Sequence, residues 1–383
     1  MTSSTAYLDH AATTPMRPEA IEAMLGFFRD GFGNPSGVHG VARRARRALD
    51  DAREELAELL GCAPSELIFT SGGTESDNLA VLGIAHGRPG SVLVSAVEHR
   101  AVLAPATLVG AGLIPVDADG AVSLAALASH LTGPRGEAAA SLVSVMLVNS
   151  ETGLIQPIEE VRTVVAEHAP RAVVHTDAAQ AFAWLDVAAR CRDFDLVTIS
   201  AHKFGGPKGI GALAVRERAR PWLAPILHGG GQERELRAGT QNVPAIVAMT
   251  VAARYAAIDR EGAVVRVAAL RDRFVNRCIE ALDAREPAPR SRRIAANAHL
   301  RFPGAAGEEV VLLLDDRGVA ASTGSACASG AREPSHVLLA MGWDAREAGE
   351  AVRFTLGTTT TRAEIDHAAA ATIEVVERLR SIA

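Results

Sequence analysis

A chain of 383 residues exceeds one ordinary hydrophobic core, and 48% hydrophobic with 22% charged residues excludes a disordered or disulfide-built scaffold. The 39 basic and 45 acidic residues leave a net charge of −6, which gives no electrostatic footprint for direct contact with nucleic acid or an anionic membrane. The longest charge-free stretches, 101–116 and 238–253, contain Pro105 and Pro244 and are too short to span a membrane.

The N-terminal MTSSTAYLDHAATTP lacks a basic leader and an apolar run, so a cytoplasmic location is expected. Segments 18–29 and 42–60 read as helices, the second with Arg43, Arg44, Arg46 and Arg47 one turn ahead of acidic partners. Apolar runs at 66–70, 91–95, 141–148, 172–175, 196–199 and 211–215 follow, most of them trailed by a polar loop and a helix. This is the α/β pattern of a mainly parallel sheet of six or seven strands. Near 258–262 the pattern changes to a helix over 263–282, a Pro/Arg-rich loop over 286–293 and a strand-helix-strand reading to the end. The expected division is a large domain over 13–258 and a small one built from 1–12 and 259–383.

Of the 39 basic residues only Lys203 and Lys208 are lysines, and both lie in HKFGGPK. Arginine serves wherever charge alone is needed, so these two positions stand out as amines that can lose a proton and act as nucleophiles. Codon bias is the plainer explanation, and context must decide between them.

In doubly wound sheets ligands sit beyond the carboxyl ends of the strands, which gives priority to polar residues there. After ELIFT, Ser71-Gly72-Gly73-Thr74-Glu75 opens a helix expected at 76–85; it suits a phosphate at a helix N-terminus, or is a capped turn. It is neither GxxxxGK[ST] nor GxGxxG, so ATP and dinucleotide readings lose support. Asp177 after AVVHT is either a helix cap or a carboxylate for a pyridinium nitrogen, and Lys203 follows LVTI at the mouth of a Gly/Pro turn. A phosphate site, a carboxylate and a lysine together are what a pyridoxal phosphate Schiff base needs. The four cysteines lack metal-ligand spacing, so no metal is expected. Cys62, Cys191 and Cys278 read as packing residues, whereas Cys327 lies among small residues in STGSACASG and is the candidate nucleophile.

These segments resemble the cysteine desulfurases of the class V aminotransferase family nearly end to end. The carriers are LDHAATTP, FGNPS, FTSGGTESDNLA, EHRAVL, HTDAAQ, SAHKFGGPKGIGAL, HGGGQERELRAGT, STGSACASGAREPSHVL and VRFTLG. The STGSAC loop resembles the NifS/IscS-type branch, and the arginine-rich composition resembles actinobacterial members that serve DNA phosphorothioation. The resemblance implies the pyridoxal-phosphate fold type I, with a seven-stranded large domain and a smaller α+β domain, working as a homodimer. It implies that Lys203 carries pyridoxal 5'-phosphate, Asp177 pairs with the ring nitrogen, His99 stacks on the ring and moves protons, and Gln180 bonds the ring hydroxyl. Gly73, Thr74, Ser200 and His202 would hold the phosphate, joined by Thr240 from the other subunit. Arg353 would fork onto the carboxylate of L-cysteine, and Cys327 would accept the sulfur as a persulfide for an acceptor protein in iron–sulfur assembly, tRNA thiolation or DNA phosphorothioation. Where the family usually has Asn-Asn-Glu this chain has Asn149-Ser150-Glu151, so Ser150 stands at the cofactor and substrate contact and Asn149 at the less engaged position. A loop of small residues further predicts that Cys327 moves between pocket and partner. The rivals are a selenocysteine lyase, an aminotransferase or another enzyme of this fold, and a weakly catalytic sulfur-transfer scaffold.

Overall fold

In the computed structural model, which describes residues 5–133, 140–324 and 334–382, β1 (Ala6–Tyr7) leads through an extended segment to α1 (Pro18–Arg29) and α2 (Gly40–Leu59). There follow β2 (Leu67–Thr70), α3 (Gly73–Gly87), β3 (Ser91–Ser95), α4 (Arg100–Leu108), β4 (Gly112–Ile114), α5 (Leu124–Thr132), β5 (Ala140–Ser144) and α6 (Ile158–His168). The central portion closes with β6 (Val173–Asp177), α7 (Val187–Arg190), β7 (Leu196–Ser200) and β8 (Gly211–Val215). Beyond it lie α8 (Val243–Leu282), β9 (Asn297–Arg301), α9 (Gly307–Asp315), β10 (Val319–Ala320), α10 (His336–Ala340), α11 (Ala345–Gly349), β11 (Ala351–Thr355) and α12 (Arg362–Ile382).

Seven strands form one mixed sheet in the order β2-β8-β7-β6-β5-β3-β4. It is parallel except for β8, which runs antiparallel to both β2 and β7 because the short Gly/Pro turn after Lys203 joins β7 directly to β8. The expected sheet is therefore present, with two differences. The run 141–148 belongs to the sheet only to Ser144, although the Val145 and Leu147 N–H groups still donate to the His175 and Asp177 carbonyls. The edge strand β4 has three residues, led by a glycine, and carries too little periodic signal to be read from sequence.

Side chains alternate across the sheet, and the alternation positions the site. Val143, Val174, Val197, Ile199, Ala212 and Ala214 fill the core on one face. On the other face Leu142, Val173, Leu196 and Leu213 pack beneath α3 with Leu79, Ala80 and Ile84. Toward the carboxyl ends of the strands the same α3-covered rows continue as Ser144, His175, Asp177, Thr198 and Ser200. The change from apolar to polar under one helix marks where a ligand belongs.

The helix expected at 263–282 starts twenty residues earlier and runs unbroken as the 40-residue α8. The change of pattern at 258–262 is an exposed face, since Ile258, Asp259, Glu261 and Gly262 face solvent while Ala256 and Ala263 are buried. α1, α2 and α12 all pack against α8. The N-terminal segment joins the C-terminal elements: β1 pairs in parallel with β10, Asp9 bridges to Thr355, and β9 pairs antiparallel with β11.

Candidate active site

The polar ends of β6 and β7, the start of α3 and the N-terminal segment enclose a cavity of about 630 Å³. Gly73, Thr74, His99, Ser150, Asp177, Gln180, Ser200, His202, Lys203 and Arg353 all line it, so most of the residues singled out from sequence converge on one place.

One end is built from backbone. The N-terminus of α3 has no side-chain cap, which leaves its first N–H groups and the positive end of its dipole turned to the cavity. Ser200, at the end of β7, lies beside Gly73. Gly211 lets β8 approach this loop: a Cβ there would stand 2.8 Å from Gly72 Cα and 2.7 Å from the Ile199 carbonyl oxygen. Glu75 holds the turn, accepting from Ser71 N–H at 2.8 Å and pairing with Arg237 at 2.8 Å. The uncapped helix terminus offers backbone N–H donors and the positive end of a helix dipole, which fits a phosphate.

Lys203 projects from the turn after β7, and its Nζ donates to the carbonyl oxygens of Ala11 and, at 2.9 Å, Ala12. Gln180 Nε2 donates to the same Ala11 oxygen, at 2.9 Å. Thr14 clamps the turn by donating to the His202 carbonyl (2.8 Å) and accepting from Gly205 N–H (2.9 Å). Burial with Lys203 and Lys208 nearby pushes the His202 imidazole down to about 4.

Asp177 ends β6 and is buried, with Oδ1 accepting from Ala179 N–H at 2.8 Å. Burial raises its carboxyl, opposed by that hydrogen bond, His99 and Lys203. His99 caps α4 through Nδ1, which accepts from Ala101 N–H at 3.1 Å, so a neutral ring carries its proton on Nε2. Burial lowers this imidazole, with Asp177 pulling the other way. Behind Asp177, α3 brings the fully buried Asp77 to 3.6 Å from His175 Nε2; that ring also bonds Ser144 Oγ (2.8 Å) and Thr198 Oγ1 (3.1 Å). Burial pushes His175 down to about 3 and holds the Asp77 carboxyl well above its usual range.

The opposite end is built from side chains. Arg353 on β11 is buried, and its guanidinium donates to Asp9 Oδ1 (2.8 Å) and the Ser150 carbonyl (3.0 Å), while its Nε has no partner among the described residues. Glu151, Arg100, His336 and Gly324 complete this rim. His336 Nε2 donates to the Glu98 carbonyl at 3.0 Å.

Three predicted residues stand apart. Asn149 lines a smaller cavity of about 210 Å³ on the far side of Lys203, and its side chain is occupied in a turn, accepting from Glu151 N–H and Thr152 N–H and donating to Val97 O. Thr240 is exposed and does not line the main cavity. Cys327 lies outside the described residues, and so does the expectation about its movement. Burial pushes the other three thiols up, Cys62 to about 11 and Cys191 and Cys278 to about 12, which removes them as thiolates near neutral pH. Asp9, Asp77, Glu151 and His336 were not predicted although each lies within or beside a recognised motif, because the motif gives their spacing and not their distant partners.

A family model described as aminotransferase class-V matches residues 6–367. The chain belongs to the class V aminotransferase family. It is 43% identical to an IscS-like cysteine desulfurase of Mycobacterium tuberculosis, over 99% of this chain and 98% of the relative. The fold is similar to that of a solved NifS-like protein, with TM-score 0.90 and 34% identity, over 98% of this chain and 100% of the other. It is also similar to SspA in complex with cysteine, with TM-score 0.78 and 33% identity, over 93% of this chain and 99% of that one. The family works with pyridoxal 5'-phosphate, and the residues here fit that group: an uncapped helix terminus for the phosphate, a lysine at the mouth and a buried carboxylate for the ring nitrogen.

Proposed function

We propose that this chain is a pyridoxal-phosphate-dependent cysteine desulfurase that converts L-cysteine to L-alanine and leaves the sulfur on Cys327 as a persulfide. The observation that carries the reading is the convergence of the α3 terminus, Lys203, Asp177, His99 and Arg353 on one cavity. When bound, the cofactor supplies an electron sink for the substrate Cα and makes the Cβ–Sγ bond of cysteine breakable.

The protein's own groups do the rest. Gly73, Thr74, Ser200 and His202 would hold the phosphate, and Gln180 would bond the ring hydroxyl. Asp177 would pair with the ring nitrogen and favour a proton there, while burial disfavours charge on Asp77 and His175 behind it. The Lys203 amine would hold the cofactor, and the same amine is the base placed to take the substrate Cα proton. His99 supplies its Nε2 proton on the cavity side. Arg353 forks onto the substrate carboxylate in place of the contacts it makes with Asp9 and the Ser150 carbonyl. Ser150 contacts the substrate side, with Asn149 shaping the turn beneath it.

The sum balances without an oxidant: L-cysteine and the Cys327 thiol give L-alanine and Cys327 persulfide. The Cys327 sulfur bonds to the substrate sulfur as the substrate's Cβ–Sγ bond breaks, and a proton replaces sulfur on Cβ. A separate acceptor protein then removes the terminal sulfur.

The unit is a homodimer in which Thr240 completes the phosphate site of a second copy. A stripe of exposed apolar residues supports this: Ile21, Leu25 and Phe28 on α1, with Phe32, Val38 and Val41 after it. Incubation with L-cysteine alone is expected to release alanine without any keto-acid acceptor. Dependence on a keto acid would favour an aminotransferase and contradict the proposal.

A further inference from the structure

Glu151 is a buried carboxylate that the reaction above does not use, yet it touches four separate parts of the chain. Its backbone N–H is held by Asn149 Oδ1 at 2.9 Å, and its backbone oxygen accepts from Asn297 Nδ2 at 2.9 Å. Its Oε2 accepts from Ser335 Oγ at 2.5 Å, and Ser335 Oγ in turn caps α10 by accepting from Leu338 N–H at 3.2 Å. The same carboxylate lies against Gly324: a Cβ at that position would stand 3.1 Å from Oε2, and Gly324 has φ +84°, a left-handed backbone that favours glycine. Gly324 and Ser335 lie 173 and 184 residues from Glu151 in sequence, so their meeting on one carboxylate is a tertiary choice.

We propose that Glu151 is a positioning residue for sulfur transfer: it fixes Gly324 and Ser335, the two described anchors on either side of Cys327, relative to the substrate end of the cavity. The inference rests on the desulfurase reading. Glu151 itself takes no part in binding cofactor or in the chemistry at Cα. Its loss therefore separates two events that a general loss of structure would impair together, cofactor binding and the bond between the Cys327 sulfur and the substrate sulfur.

The test compares Glu151→Ala, Glu151→Gln and Ser335→Ala in holoenzyme. The readouts are cofactor dissociation constant, absorption spectrum, cysteine KM, and the single-turnover rate of persulfide formation on Cys327. Misplacement by about 1 Å can cost up to about 100-fold in rate, so Glu151→Ala is expected to slow persulfide formation by roughly 10- to 100-fold while cofactor affinity, spectrum and KM change less than about threefold. Glu151→Gln keeps an acceptor for the Ser335 hydroxyl and is expected to recover most of the rate, whereas Ser335→Ala is expected to lose part of it. A wild-type rate in Glu151→Ala would overturn the inference, as would a Gln variant as slow as the Ala variant. If Glu151→Ala does not fold, Ser335→Ala decides: an unchanged rate overturns the inference and a slower one at intact cofactor binding supports it. Cys327→Ser is the separate control, since persulfide formed at the wild-type rate without that thiol would refute the desulfurase reading itself.

Discussion

The two ends of the catalytic cavity are made differently. The end proposed for the phosphate is built around backbone: the α3 terminus, the end of β7 and the start of β8, and the close approach that Gly211 permits. The substrate end is assembled from charged and polar side chains brought from opposite ends of the chain, with Arg353 on Asp9 across 344 residues and Ser335 on Glu151 across 184. A backbone cradle tolerates little variation where glycines allow its close approach. A side-chain rim can be tuned one residue at a time, and its failures should be graded where those of the cradle are not.

Replacing Lys203, which stands between the two ends, tests this contrast most severely. Lys203→Ala should abolish the cofactor's bound absorption and lower turnover by at least about 1,000-fold, as loss of a covalent catalyst does. Spectroscopy and alanine release both read it, and a yellow, active variant would break the account.

At the substrate end the effect should be smaller and confined to cysteine. Arg353→Lys loses the planar fork, and a charged hydrogen bond is worth about 1.5–3 kcal/mol, so cysteine KM should rise roughly 10- to 100-fold with cofactor affinity kept. An equal loss of cofactor affinity would show that the two ends are not separable.

The same end has a buried titrating support. His299 lies opposite Arg353 in the β9–β11 pair, with neither ring nitrogen bonded among the described residues. Burial, with Arg353 and Arg293 nearby, pushes its imidazole down to about 3. Because the folded value lies below the unfolded one of about 6.5, stability is complete above pH 6.5 and is lost as pH falls toward 3. His299→Phe should therefore gain about 2 kcal/mol at pH 5 relative to its effect at pH 8, read from denaturant midpoints; the difference cancels any change in packing. No pH dependence in the difference would mean that the ring is charged in the folded protein.

The mildest expected change is at Ser150, which lines both the main cavity and the smaller one behind Lys203. Ser150→Asn should lower cysteine KM by up to about tenfold through an added amide contact. An unchanged or poorer variant would show that the serine already serves.

The contrast also explains what could be read from sequence. That the Gly72-Gly73 turn, Asp177 at the end of β6 and Lys203 after β7 would meet beyond the strand ends was legible because each is a local signal, a polar residue at the end of an apolar run. The bounds of α1 were legible too, from Pro18 at its start and Arg29 in its last turn. Asp77 was hidden inside a helix whose buried face turns polar near its start, where Ser76 meets Thr70 and Asp77 meets His175. Glu151 and Asp9 have meaning only through partners that nothing local predicts. The start of α8 was missed because a charged, exposed turn at 259–262 resembles a boundary, while the burial of Ala256 and Ala263 carries the helix through it.

The central claim is that sulfur leaves cysteine for one particular thiol. Holoenzyme incubated with sulfur-labelled L-cysteine, digested without reductant and analysed by mass spectrometry should carry one added sulfur on the Cys327 peptide, with one alanine released per persulfide. Label on Cys62, Cys191 or Cys278, or alanine released without protein-bound sulfur, would contradict the account.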